Sequence, residues 1–93
     1  MSDTIVLPDK MPSSEVDVLA RRLDAADAGG SPIRIDASNV RTVGALAAEL
    51  ILRFADRIEA EGGRISIVPS ADFEDDLRIL GLHGLLQRKD PAT

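Results

Sequence analysis

The strongest constraint in this chain is a regular switch between two hydrophobic periods. "TIVLP" (Thr4–Pro8), "PIRIDAS" (Pro32–Ser38) and "RISIVPS" (Arg64–Ser70) are β-branched runs, and each leads into a stretch whose apolar residues recur at helical spacing. In "MPSSEVDVLARRLDAADAGG", Val16, Leu19, Ala20 and Leu23 fall at i, i+3, i+4 and i+7, which is an amphipathic stripe. Ser13 or Ser14 can cap that helix, Glu15 and Asp17 suit its positive end, and Gly29–Gly30 stops it. Gly44 to Glu61 is the longest helical pattern and ends at Gly62–Gly63. Ser70 is placed to cap a third helix carrying Phe73, Leu77 and Leu80, closed by Gly81.

Strand–helix–strand repeats imply parallel pairing through right-handed crossovers. Proline closes the first strand, which suits an edge. Ile33 and Ile35 alternate with Arg34 and Asp36, and Ile65 and Ile67 flank Ser66. Only one sheet face is then fully packed. The expected architecture is a single α/β domain over residues 1–93, with a sheet of about four strands, helices mainly on one face and a polar tail at 88–93. A chain of 93 residues leaves no room for a second core and buries only about 60–65% of its extended surface.

Composition removes several functions. With no cysteine, disulfides, thiolate catalysis and thiolate-bound zinc are excluded. A net charge of −5 disfavours nucleic acid and anionic membrane surfaces and suits a partner with a basic patch. The two aromatics, Phe54 and Phe73, make no base-stacking platform. "MSDTIVLPDK" has no basic region followed by an apolar run, and no stretch nears the roughly 20 apolar residues of a membrane span. A cytoplasmic protein is expected.

No catalytic set is visible. His83 is the sole histidine and has no second ligand at useful spacing. Asp72, Glu74, Asp75 and Asp76 lack the glycine and alternation of a calcium loop and read as solvated, dipole-favoured charge. Neither glycine pair opens a helix, as a phosphate-binding loop must. No metal, cofactor or enzymatic activity is expected.

From Ile33 to about Leu86 the residues follow an ordered series: Asp36, Ser38, Val40 and Val43, the helix from Ala45, Gly62–Gly63, Ile65–Val68 and Leu80-Gly81-Leu82. This series resembles the STAS domains, the fold of sulfate transporters and anti-sigma-factor antagonists. In that family an Asp-Ser/Thr-Ser-Gly tip opens the long helix, and in anti-sigma antagonists a serine of the tip is phosphorylated by the partner kinase. Here Gly44, Ala45, Leu46 and Ala47 stand in its place, so the resemblance implies the scaffold without the phospho-switch. The nearest hydroxyls, on Ser38 and Thr42, are candidate displaced phosphosites, although turn capping explains them as well.

Projecting the long helix at 100° per residue puts Leu46, Leu50, Phe54 and Ile58 toward the sheet, with Glu49, Arg53, Asp56 and Arg57 on one flank. Ala45, Ala48, Leu52 and Ala55 are left outward as a bare strip. The expected partner-binding residues are therefore Arg41, Thr42, Gly44, Ala45, Ala48, Leu52 and Ala55. STAS proteins with this "Asp-Ala-Ser-x-Val" strand end resemble small chemotaxis-associated proteins, which implies a histidine kinase or response regulator as partner. Two alternatives stay open: an anti-sigma-factor antagonist phosphorylated at Ser38 or Thr42, and a subunit of a lipid-transport ATPase complex.

Overall fold

The computed structural model describes residues 3–27 and 32–89. Its elements are β1 (Asp3–Val6), β2 (Lys10–Met11), α1 (Val16–Asp27), β3 (Ile33–Ala37), β4 (Thr42–Val43), α2 (Ala45–Ala60), β5 (Ile65–Pro69) and α3 (Ala71–Ile79). A one-turn 3-10 helix, Ser13–Glu15, precedes α1, and a longer 3-10 segment, His83–Arg88, follows α3. The 3-10 turn delays the start of α1 to Val16, beyond either serine expected to cap it. The Gly29–Gly30 stop lies outside the described residues.

β1, β3 and β5 form one parallel sheet in the order β1-β3-β5. Ile5, Ile35 and Ile67 share one register row across it. Among the described residues the sheet has three strands, where about four were expected. β2 and β4 pair separately as a two-residue parallel bridge, too short to leave any periodicity in the sequence.

Period-2 alternation sends Ile5, Leu7, Ile33, Ile35, Ala37 and Ile67 into the core. The opposite face carries Thr4, Val6, Arg34, Asp36, Ser66 and Val68, none of them buried. The buried side chains of sheet and helices form one cluster, with Phe73, Leu7, Leu23, Ile35 and Ile51 among the largest fully enclosed.

The helix ends behave as the glycines require. Gly62 has φ +83° and Gly81 φ +75°, a region that side-chain-bearing residues rarely enter. After α2, the Gly62 N–H reaches the Glu59 carbonyl and the Gly63 N–H the Ile58 carbonyl; after α3, Gly81 and Leu82 bond Arg78 and Leu77 likewise. Both are Schellman closures that satisfy orphan carbonyls.

The chain does not loosen at residue 88. Arg88 donates to Asp56, to Glu59 at 2.9 Å and to the Gly84 carbonyl at 3.2 Å, and its side chain is only 14% exposed. Lys89 pairs with Glu74 at 2.9 Å and bridges the edge of β5 at Ile67. Arg88 and Lys89 thus belong to the folded body and not to a tail.

The candidate interaction surface at the head of the long helix

The segment Ser38–Ala47 crosses the carboxyl ends of the strands, where parallel α/β folds place their functional loops. It is tied down from three directions. The Arg41 and Thr42 amides donate to the Asp9 carbonyl at 2.7 and 3.3 Å, and the Gly44 amide to the Met11 carbonyl at 3.2 Å. From the other side, Asp76 on α3 accepts the Val43 amide at 3.1 Å.

Ser70 completes the frame. Its hydroxyl accepts the Phe73 amide at 3.0 Å, as an N-cap should, and donates to the Val40 carbonyl at 2.6 Å. The acidic run at the start of α3 is therefore not uniformly solvated, as the sequence suggested. Asp76 is half-buried and holds β4, Glu74 holds Lys89, and Asp75 pairs with Arg78 at 3.5 Å. Asp72 remains exposed.

Ser38 caps a turn. Its amide and hydroxyl both donate to Asp36 Oδ1, at 3.0 and 2.5 Å. Those bonds, the hydroxyl's first, hold the Asp36 carboxyl below its ordinary value of 3.8; Arg34 adds to the lowering and partial burial opposes it. A carboxylate depressed on folding stabilises the fold above its unfolded value, and that contribution is lost as pH falls through the folded value. Ser38→Ala should therefore move the Asp36 titration back up toward 3.8, observable by NMR. A titration unmoved by the substitution would show that the turn does not tune this group.

The structure rotates the expected face of α2. Ala48 and Ala55, expected outward, are both completely buried, together with Ala47, Ile51, Phe54 and Ile58. The true stripe sits about one residue around the helix from the projected one. Small side chains at the contact let the α2 backbone approach the layer beneath closely, so alanine is a packing residue here. Leu52 is also corrected: it is half-buried and packs against the core cluster, on the side of α2 where Arg88 reaches Asp56 and Glu59. The outward apolar strip does not exist.

What remains is a smaller tip. Arg41, Thr42 and Ala45 are exposed and Gly44 is half-buried. Gly44 caps α2 with extended backbone and no side-chain hydrogen bond. Leu46, expected against the sheet, is instead 57% exposed. It sits in the first turn, with its side chain left in solvent. Its signal in the sequence is the displacement of a polar tip motif by an aliphatic residue.

No curated protein and no solved structure matches this chain. The family model described as "Mlab, STAS domain" matches residues 2–87. It spans the parallel sheet, the stripped tip and both Schellman-closed helices, and the chain belongs to the STAS domains, a family of generally non-catalytic protein-interaction modules.

Proposed function

We propose that the chain is a non-enzymatic adaptor in bacterial signalling that docks a chemotaxis histidine kinase or response regulator through its tip and alters phosphate flow by occupancy alone. The observation that carries this reading is Leu46, 57% exposed on the first turn of α2. Around it stand Arg41, Thr42 and Ala45, all exposed, on a segment pinned by backbone hydrogen bonds at both ends. A rigid apolar anchor with an arginine nearby is the composition that concentrates binding energy in protein contacts. With no hydroxyl from Gly44 to Ala47, the tip recognises shape and not phosphate.

The test is Leu46→Asp in a binding measurement against purified kinase and regulator. Its exposure, and the favourable position of an acid in a first helical turn, keep the melting temperature near that of the parent. Affinity should fall roughly 10–100-fold, the cost of losing an anchor worth about 1.4–2.8 kcal/mol. Unchanged affinity rejects the tip as the contact.

The phosphoswitch alternative meets a physical obstacle at Ser38. Its hydroxyl is already given to Asp36, and a phosphate there would set two negative groups against each other. Thr42 is exposed on β4 and has no such conflict, so phosphate incorporation by an anti-sigma kinase, lost in Thr42→Ala, would favour that reading. Capture of the nucleotide-binding subunit of a lipid-transport ATPase would favour the third.

A further inference from the structure

β4 is only two residues long, yet each backbone amide from Val40 to Gly44 donates to a fixed acceptor. Val40 donates to the Ala37 carbonyl at 3.1 Å, Arg41 and Thr42 to the Asp9 carbonyl, and Gly44 to the Met11 carbonyl. Val43 differs. Successive amides of a strand point to opposite sides. With Thr42 and Gly44 turned toward the Asp9–Met11 segment, Val43 turns to the side on which, among the described residues, β4 has no strand partner. Asp76 Oδ2 accepts its amide there at 3.1 Å, from 33 residues along the chain. A carboxylate stands where the carbonyl of a further strand would be. A side chain meets an open edge elsewhere as well: the Arg22 guanidinium donates to the Val6 carbonyl of β1 at 2.8 Å.

The placement of Asp76 on α3 is not that of a solvated charge. Phe73, Asp76 and Leu77 fall at i, i+3 and i+4, on one face of the helix, and Phe73 and Leu77 are completely buried. Asp76 is half-buried on that face. An apolar residue would add to the core here, whereas a carboxylate gives up hydration and needs a partner in return. The Val43 amide is that partner, and a charged acceptor makes the stronger kind of hydrogen bond. Among the amide bonds from Val40 to Gly44, Val43's alone depends on a side chain.

We propose that Asp76 is a positioning residue for the tip. Through the Val43 amide it fixes the backbone that presents Arg41 and Thr42 and leads into Leu46, so the surface is formed before a partner arrives. The proposal rests on the tip reading for what that surface meets, and adds that its shape is set from α3. Preorganisation of this kind avoids the ordering cost that a loose segment incurs on binding.

The experiment compares Asp76→Ala and Asp76→Asn in the full chain, by amide hydrogen exchange and by affinity for the same purified kinase and regulator. Alanine removes the acceptor; asparagine keeps an oxygen in its place without the charge. In Asp76→Ala, exchange at Val43 should quicken at least about tenfold while the amides of β3 and β5 keep their protection. Affinity should fall about 3–10-fold. Asp76→Asn should bring both quantities back to within about threefold of the parent. Alanine favours helix, so α3 should persist, as circular dichroism would verify. Unchanged exchange at Val43, an equal loss of protection across β3 and β5, or no recovery in Asp76→Asn overturns the proposal.

Exchange at Val43 is read with no partner present, which keeps this proposal separable from the tip reading. Affinity lost in Leu46→Asp but intact in Asp76→Ala leaves the tip standing and overturns Asp76 as its positioning residue. Affinity intact in Leu46→Asp rejects the tip, while quickened exchange at Val43 in Asp76→Ala still supports α3 as the element that fixes the segment.

Discussion

An aspartate at Ala48 should leave this protein unfolded at ordinary temperature. Ala48 has no solvent exposure, and its amide is already spent on the Gly44 carbonyl at 3.0 Å. A carboxylate there loses its hydration, and among the described residues no basic side chain is buried to compensate. The effective penalty for an unpaired buried ion is several kcal/mol, against about 5–15 kcal/mol for an entire domain. A chain this short sits at the low end of that range. Circular dichroism and urea titration would read the loss. Ala45→Asp, three residues earlier and exposed, is the informative control: it should be neutral or slightly stabilising, since an acid in the first turn faces the positive end of α2. Equal stability of the two variants would refute an α2 that turns Ala48 inward and Ala45 to solvent.

The second large effect is expected at Phe73. It is the largest of the fully enclosed side chains, and its amide is the one capped by Ser70. Phe73→Ala removes the ring and leaves a cavity beneath α3, a change that typically costs about 3–5 kcal/mol. For a domain of this size each kcal/mol moves the melting point by about 4–8 °C, so a fall of more than about 12 °C is expected by calorimetry. Ile79→Ala, on the same helix but at an 82% exposed position, should change the midpoint little. Because α3 also holds β4 through Asp76 and Val43, Phe73→Ala should broaden the amide resonances of Arg41–Gly44. The tip would then lose order along with stability.

The contrast between Ala48 and Ala45 also marks how far the sequence can be read. The three main strands and the glycine closures of α2 and α3 are legible because each depends on residues a few positions apart, and the parallel pairing follows from the strand–helix–strand order. Ser70 announces its cap by the same local logic. The rotation of α2 is not legible. A buried alanine and a solvent-facing alanine leave the same mark on a hydropathy pattern, and the choice between them depends on how closely the helix approaches the layer beneath it. Ala37, Ala47, Ala48 and Ala55 are all enclosed, and that decides it. Leu46 departs from expectation for the converse reason: a leucine normally reads as core, but the first turn of α2 leaves this one in solvent.

The β2–β4 bridge meets a different obstacle. It is assembled from segments distant in the chain, Lys10–Met11 with Thr42–Val43. No window of sequence contains both. The family membership is nonetheless recoverable, since the ordered series from Asp36 to Leu82 does not depend on which way α2 is turned.

Arg22, on α1, bears on the margin of the sheet. β1 is one of the two outer strands of the sheet, and an edge of this kind invites a foreign strand to zip onto it. The Arg22 guanidinium occupies the Val6 carbonyl, so an incoming backbone would have to displace a charged donor to gain that bond. Strand addition and head-to-tail stacking are discouraged at this border.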